Sequence, residues 1–143
     1  MANYVVDTSV VSQYSITQTY TPQARVLVAR MYEGDELYVP EFCLLECANV
    51  LWKEVRFRGL SQTNAEQIIA ELLALPFQMV SVSLLLPRAL QIGLTHQLAV
   101  YDSLYIALAL DRGFPLITVD DKQLNAATAC GVVIKPINDF SPL

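Results

Sequence analysis

Short apolar runs of strand length alternate with longer amphipathic segments along most of this chain. Tyr4 to Val6 is one apolar run and Pro115 to Val119 is another. From Glu41 to Arg58 the apolar residues instead recur every three or four positions, which indicates one face of a helix. Strands separated by helices are typical of a parallel sheet with helices on both faces. The sequence therefore predicts a three-layer α/β fold.

The element boundaries follow from the same patterns and from the prolines and glycines that interrupt them. Strands are expected at 4–6, 37–39, 77–82, 115–119 and 132–135. Helices are expected after a cap at Thr8 or Ser9, from Pro22 to Gly34, at 41–58, from Ser61 or Thr63 to Pro76, at 84–97, at 102–112, and from Asp120 to Gly131. The segment at 102–112 is apolar on nearly all sides, which predicts a buried helix.

Length and composition limit the possible organisation. The 143 residues suit a single domain spanning 1–143. Hydrophobic residues make up 54% and charged residues 16%, against roughly 25% charged in an average globular protein, so we expect apolar surface that binds a partner or a second copy.

The longest apolar stretch, Leu104 to Leu110, is far shorter than the roughly 20 residues that cross a bilayer. Without a basic N-terminal region of the secretory type, the expected location is the cytoplasm.

Three cysteines and one histidine give little support for a zinc site or a disulfide framework. Cys43 and Cys47 lie one helical turn apart, where a disulfide would constrain little, so reduced thiols are expected. A structural zinc takes about four nitrogen or sulfur ligands, and only His96 could join the cysteines. We expect His96 to have a structural role.

Four acids occupy positions that suit a metal-dependent enzyme. Asp7 and Asp120 follow strand-like runs, and ligands of open parallel sheets gather outside the carboxyl ends of the strands. Glu46 and Asp102 lie in helical segments. Clustered carboxylates repel one another without a cation, whereas Mg2+ and Mn2+ take oxygen ligands from carboxylates, water and substrate phosphate. These four side chains are therefore expected to bind Mg2+ or Mn2+.

Each acid also has a structural interpretation. Asp7 could be a turn residue after its strand, and Asp102 could be a helix N-cap. Asp121 competes with Asp120 for the cap of the following helix. Glu46, in the middle of a helix, could form a salt bridge with an arginine, because an unpaired buried charge is strongly unfavourable.

One line of the predicted helix at 41–58 carries an acid, an amide and two cations. Glu46, Asn49, Lys53 and Arg56 would face one groove, and this set suits a phosphodiester, although basic residues alone more often form a solvated surface. Lys53, Arg56, Arg58 and Lys122 could flank such a groove. The net charge of −5 argues against broad affinity for nucleic acid, because Lys and Arg normally drive such binding.

Four motifs occur in order along the chain: VVDTSV from Val5 to Val10, LLECANVLW from Leu44 to Trp52, YDSLYIALAL from Tyr101 to Leu110, and LITVDD from Leu116 to Asp121. In these motifs the chain resembles the PIN-domain ribonucleases, particularly the VapC-type toxins of bacterial toxin–antitoxin pairs, over nearly its whole length. The resemblance implies a parallel sheet between helices and cleavage of single-stranded RNA with Mg2+ or Mn2+. It also implies a homodimer and a small antitoxin protein as partner.

The resemblance further implies a role for individual residues. Asp7, Glu46, Asp102 and Asp120 match the acidic metal-binding quartet of the family. Ser9 matches a small hydroxyl residue two places after the first acid, Asn49 an amide three places after the helical acid, and Thr118 the threonine of a T-x-D motif; all three are expected to contact substrate. The T-x-D spacing selects Asp120 over Asp121 as the fourth ligand.

Two other classes of function remain open. A phosphoaspartate phosphatase or a receiver domain also places acids at strand ends, but phosphatases of the haloacid-dehalogenase type need an aspartate where Ser9 stands, and receivers usually have paired acids before the phosphorylated aspartate. A non-catalytic PIN-fold module could bind RNA or protein without cutting. Such a module has no need of an unfavourable carboxylate cluster.

Overall fold

The sheet has four parallel strands, and seven helices surround it. The computed structural model describes residues 1–143. The strands are β1 (Asn3–Val6), β2 (Glu36–Pro40), β3 (Gln78–Val80) and β4 (Leu116–Ile117). The helices are α1 (Thr8–Ser15), α2 (Thr21–Arg30), α3 (Cys43–Arg58), α4 (Gln62–Ala74), α5 (Leu86–His96), α6 (Val100–Arg112) and α7 (Asp121–Ala129). The predicted three-layer α/β fold is confirmed.

The strand order is β3-β2-β1-β4. Strands β2 and β3 therefore lie on one side of β1, and β4 lies on the other side. Tyr4 pairs with Leu37 of β2, and Val5 pairs with Leu116 of β4. Tyr4, Val5 and Val6 are all buried, as a central strand covered on both faces requires. The reversal between β1 and β4 is a topological switch point, and open parallel sheets bind ligands in the crevice there.

Helix α6 is the central helix of the core. Its residues from Ser103 to Ala109 are all buried. A buried helix was predicted here because the segment is apolar on nearly all sides. It packs directly on β1, β2 and β4, and α5 lies against it. One connected cluster of 31 buried hydrophobic residues includes strand and helix side chains, so the core is continuous. None of the helices combines the length and the hydropathy that crossing a bilayer requires.

The N-cap residues of α1 and α4, for which the sequence offered two candidates each, are identified by their hydrogen bonds. Asp7 caps α1 in place of Thr8 or Ser9, because its backbone is extended and its side chain accepts a hydrogen bond from the amide of Val10. In α4 the cap is Ser61, whose hydroxyl accepts from the amide of Asn64 at 3.1 Å. Thr63 is already inside the helix.

The predicted strand at 132–135 is reduced to a single bridge between Leu116 and Ile134. The backbone amides of Leu116 and Lys135 donate to Val133 and Leu116, respectively. No longer ladder can form because β4 itself has only two residues. The third strand is also shorter than predicted and covers Gln78–Val80 instead of 77–82.

At Gly93, α5 packs tightly against the chain that follows it. A Cβ atom at this buried glycine would lie 2.7 Å from the carbonyl oxygen of Leu98 and 3.3 Å from the hydroxyl of Ser103. Gly93→Ala should lower the free energy of unfolding by about 1–2 kcal/mol, because overpacking outweighs the helix propensity of alanine. Urea unfolding would measure the change. Thr95→Ala, at an exposed position of the same helix, should stay within about 0.5 kcal/mol of wild type, and equal stability of the two variants would contradict the steric argument.

Candidate active site

Asp7 lies at the carboxyl end of β1, in the crevice between β1 and β4. Its Oδ1 accepts hydrogen bonds from the hydroxyl of Ser9 at 2.6 Å and the amide of Val10 at 3.3 Å. Its Oδ2 accepts from the hydroxyl of Thr118 at 2.7 Å. Only 4% of Asp7 is exposed, and burial raises its pKa to about 7 despite these hydrogen bonds. The carboxylate is oriented by hydroxyls but lacks a counter-charge.

Asp120 follows β4 on the other side of the crevice and caps α7. Its Oδ1 accepts from the amide of Gln123 at 2.9 Å, and its own amide donates to the hydroxyl oxygen of Thr118 at 3.1 Å. The negative charge of Asp120 contributes to the raised pKa of Asp7, after burial, so the two carboxylates are electrostatic neighbours. Asp121 is the first residue of α7, and the cap is therefore Asp120.

Asp102 lies in the first turn of α6 and is half-buried. The N-cap of α6 is Ala99, so the interpretation of Asp102 as a helix cap is wrong. Burial raises the pKa of Asp102, and the negative charges of Asp120 and Glu46 raise it further. The side-chain amide of Gln123 donates to the backbone carbonyl of Asp102 at 2.8 Å and so ties α6 to the start of α7.

Glu46 on α3 is held by two hydroxyls. Thr8 donates to its Oε1 at 2.7 Å and Tyr105 at 2.8 Å, and the two hydroxyl oxygens are 2.6 Å apart. The salt bridge considered for Glu46 is not formed. None of the four ion pairs in the protein involves Glu46, Asp7, Asp102 or Asp120.

In addition to burial, the negative charge of Asp120 raises the pKa values of Asp7 and Asp102, but the four carboxylates are not arranged as metal ligands. No set of three or more histidine, cysteine, aspartate or glutamate side chains is arranged to hold a metal ion. The donors nevertheless suit a hard cation, because all are carboxylate oxygens and none has a basic partner. Mg2+ typically binds one or two carboxylates, with water and substrate phosphate completing its octahedron. The residues present therefore fit Mg2+ or Mn2+ bound together with a phosphate substrate.

A groove with a volume of about 490 Å³ lies beside α3 and includes Glu46. It is lined by Thr8, Leu45, Glu46, Asn49, Val50, Lys53 and Tyr101. Three members of the predicted polar line thus share the groove. Arg56 lies outside this lining and is close to the ring of Phe57. Arg58 pairs with Glu54, and Lys122 lines a different cavity beside His96.

The other predicted substrate residues differ in their surroundings. Ser9 and Thr118 are hydrogen-bonded to Asp7, and the hydroxyl oxygen of Ser9 also accepts from the amide of Val119 at 3.1 Å. Asn49 is exposed in the groove. Ser9 and Thr118 are therefore placed to orient Asp7, whereas Asn49 is free to meet a ligand.

Four residues of the site were not found by sequence reasoning: Thr8, Tyr101, Tyr105 and Gln123. The Asp120-x-x-Gln123 spacing resembles a capping box and could have drawn attention to Gln123. Tyr105 lies one turn after Asp102 on the same helix face, but nothing in the sequence shows that it meets Glu46.

His96 contacts the sulfur of Cys130 at 3.5 Å. All three cysteines are free.

A PIN domain is matched over residues 4–129. This chain belongs to the PIN-domain family. Ribonuclease VapC3 of Pyrobaculum aerophilum is 30% identical to it over 118 residues, which are 81% of this chain and 88% of that protein. Ribonuclease VapC12 of Mycobacterium tuberculosis is 30% identical over 102 residues, covering 71% of this chain and 78% of that protein. The resemblance inferred from the four motifs is confirmed.

Solved structures share the fold of this PIN domain. PAE2754 from Pyrobaculum aerophilum superposes with a TM-score of 0.75 at 20% identity, over 96% of this chain and 85% of that one. VapBC2 from Rickettsia felis, bound to a DNA fragment from its promoter, gives a TM-score of 0.67 at 10% identity, over 94% of this chain and 98% of that one. At such low identities the likeness concerns the fold alone.

Asp7 should make the stability of the PIN domain depend on pH when a chelator removes divalent ions. Because burial raises the pKa of Asp7 from 3.8 to about 7, the folded protein keeps a proton that the unfolded chain has released between these values. The free energy of unfolding should therefore fall as pH rises through this window. Asp7→Asn removes the titration, so urea unfolding should show a shallower decrease for this variant, whereas Asp121→Asn should follow wild type. Parallel curves for wild type and Asp7→Asn would contradict the prediction.

Proposed function

We propose that this PIN domain is a metal-dependent endoribonuclease that cleaves single-stranded RNA, and that it is the toxin of a toxin–antitoxin pair. The observation that carries the proposal is that Asp7, Glu46, Asp102 and Asp120, here called the acidic cluster, have no basic partner. Two of them, Asp7 and Asp120, flank the switch point between β1 and β4. The relatives named VapC are ribonucleases by name and align with most of the chain.

Asp7, Glu46, Asp102 and Asp120 would hold Mg2+ or Mn2+. The raised pKa values of Asp7 and Asp102 reflect carboxylates whose charge is poorly compensated, and a nearby cation favours the charged form. When bound, a divalent ion supplies an activated water and stabilises charge on the phosphate oxygens. This chemistry needs no histidine base, and His96 lies against Cys130, outside the cluster.

The chain's own hydroxyl groups orient two of the acids, Asp7 and Glu46, before substrate arrives. Ser9 and Thr118 engage both oxygens of Asp7. Thr8 and Tyr105 engage only Oε1 of Glu46, which leaves Oε2 without a hydrogen bond in the protein. Hydroxyl donors hold a carboxylate in place without neutralising it, so the site is preorganised and still attracts a cation. Asn49 is proposed to contact RNA directly.

A non-catalytic PIN module is the alternative, and the lack of a group of three ready-made metal ligands favours it. Hydrogen bonds hold Asp7, Glu46 and Asp120 in position, however, and a module that only binds would need none of this arrangement. Membership of the PIN-domain family argues against a phosphoaspartate phosphatase or a receiver domain.

The two adjacent aspartates at the start of α7 allow a matched test of metal-dependent cleavage. Asp120→Asn should reduce cleavage of a mixed RNA pool by about 100-fold or more, since even outer partners of metal ligands are typically worth 10- to 100-fold. Asp121→Asn should cleave like wild type. Gel analysis with Mg2+, with Mn2+ and with chelator would measure both. Cleavage that persists in chelator would exclude the metal mechanism, and an equal loss in Asp121→Asn would change the assignment of the fourth ligand.

The proposed antitoxin would bind an apolar cleft between α3 and α4. The cleft has a volume of about 320 Å³ and is lined by Ala48, Leu51, Trp52, Val55, Gln62, Ala65, Glu66 and Ile69. Trp52 is 57% exposed there, and exposed apolar patches tend to mark protein interfaces. A short amphipathic helix fits such a groove, and an arginine from the same partner could enter the acidic cluster.

A second apolar surface on α5 is proposed as the homodimer interface. Leu86, Leu90 and Leu94 are exposed and follow one another at intervals of four residues, so they form one stripe on the helix. The cleft between α3 and α4 is assigned to the antitoxin and this stripe to the second copy, so the two partners would use different helices.

Ala65→Arg would fill the cleft between α3 and α4 without changing the acidic cluster. The variant, expressed in the native host, should lose a small co-purifying protein that suppresses RNA cleavage when added back to wild type. Its own cleavage should remain at the wild-type level. Ala70→Arg, at an exposed position of the same helix, is the matched control and should keep the partner. A partner retained by Ala65→Arg would exclude this cleft as the binding site.

A further inference from the structure

Tyr101 presents a largely exposed aromatic ring immediately before Asp102. The residue is 61% exposed, and its hydroxyl makes no hydrogen bond within the protein. The ring packs edge to face against Phe42 with the centroids 5.3 Å apart, and Phe42 packs in the same way against Tyr105 at 5.7 Å. Tyr105 in turn donates to Glu46. The exposed ring is thus joined through aromatic packing to the acidic cluster.

The rest of the groove carries polar groups that have no partner in the protein. Lys53 is exposed and belongs to none of the four ion pairs. Asn49 is exposed and makes no side-chain hydrogen bond. Lys53 lies seven residues beyond Glu46 on α3, which is about 10 Å along the helix axis. The groove therefore combines an acid, an amide, a free cation and an aromatic ring from α6.

These groups match the parts of a nucleotide that lies across the groove. A cation suits a phosphate, an amide suits the edge of a base, and an exposed aromatic ring suits the face of a base. We propose that an unpaired RNA base stacks on Tyr101 beside the phosphate held at the acidic cluster, while Lys53 contacts the adjoining phosphate and Asn49 the base edge. This inference rests on the proposed ribonuclease function and identifies the part of the RNA that the site recognises.

Stacking of a base on Tyr101 gives a physical reason why the site would prefer single-stranded RNA to duplex RNA. In a duplex each base is already stacked and paired, so it cannot reach an aromatic side chain without being extruded. An unpaired base meets no such barrier. A protein partner is the other possible occupant, because Leu45 in the same groove is 71% exposed. The unpaired cation and free amide favour RNA.

The experiment compares RNA affinity in the presence of chelator, in an Asp120→Asn background that prevents cleavage. Fluorescence anisotropy would follow the binding of a short labelled single-stranded RNA. Adding Tyr101→Leu should weaken binding by about fivefold or more, as expected for the loss of one base–aromatic stack. Tyr101→Phe should stay within about twofold of the background, because the ring is kept. Tyr32→Leu is the matched control: Tyr32 is 69% exposed and lies outside the groove, so affinity should not change.

A spectroscopic signature separates stacking from general loss of affinity. A fluorescent purine analogue in the RNA should be quenched on binding to proteins with Tyr or Phe at position 101, and not on binding to Tyr101→Leu. Affinity for duplex RNA of the same sequence should be equal in all variants. Thermal unfolding of Tyr101→Leu would verify that the packing of Phe42 is maintained.

The possible failures are distinguishable. If wild type cleaves RNA but Tyr101→Leu binds single strands as tightly as the background and quenches the analogue equally, the stacking inference is wrong and the ribonuclease function stands. If wild type neither binds nor cleaves RNA with Mg2+ or Mn2+, both are wrong. If Tyr101→Leu keeps its RNA affinity but releases a co-purifying protein, the groove belongs to a protein partner and the inference is overturned.

Discussion

The pairing between β1 and β4 determines where Asp7 and Asp120 of the candidate site lie. The amide of Val5 donates to Pro115 at 2.9 Å, and the amide of Asp7 donates to Ile117 at 3.3 Å. Because β4 ends at Ile117, Thr118 leaves the ladder with its hydroxyl directed at Asp7. The shortness of β4 therefore both defines the edge of the crevice and supplies a donor to its most buried acid.

Asp7 and Glu46 are held by hydroxyl groups and not by ion pairs. An arginine beside Asp7 or Glu46 would neutralise the charge and compete with a cation for the same oxygens. Ser, Thr and Tyr hydroxyls orient the carboxylates and leave most of the negative charge in place. These hydrogen bonds thus hold Asp7 and Glu46 in the folded protein and leave both carboxylates suited to a divalent ion.

Much of the fold could be predicted from sequence, because apolar periodicity and the prolines and glycines at element ends act locally. The acids could be named because each follows a strand or lies on a helix within a short motif. The contacts of Glu46 could not, since Tyr105 is 59 residues away and α6, apolar on nearly all sides, has no periodicity that shows which side chain faces which neighbour. The reduction of the predicted strand at 132–135 to a single bridge could not be predicted either, because its partner β4 has only two residues.

The contact between Thr118 and Asp7 joins positions 111 residues apart in the chain. During synthesis, which proceeds from the N-terminus, Asp7 and Glu46 emerge long before Thr118, Asp120 and Gln123. The crevice cannot close until β4 (Leu116–Ile117) has been made and has added beside β1, because non-local strand pairing must wait for both partners. A nascent chain therefore has its first acids outside the ribosome without an assembled site, and it gains one only after Thr118, Asp120 and Gln123 have also emerged.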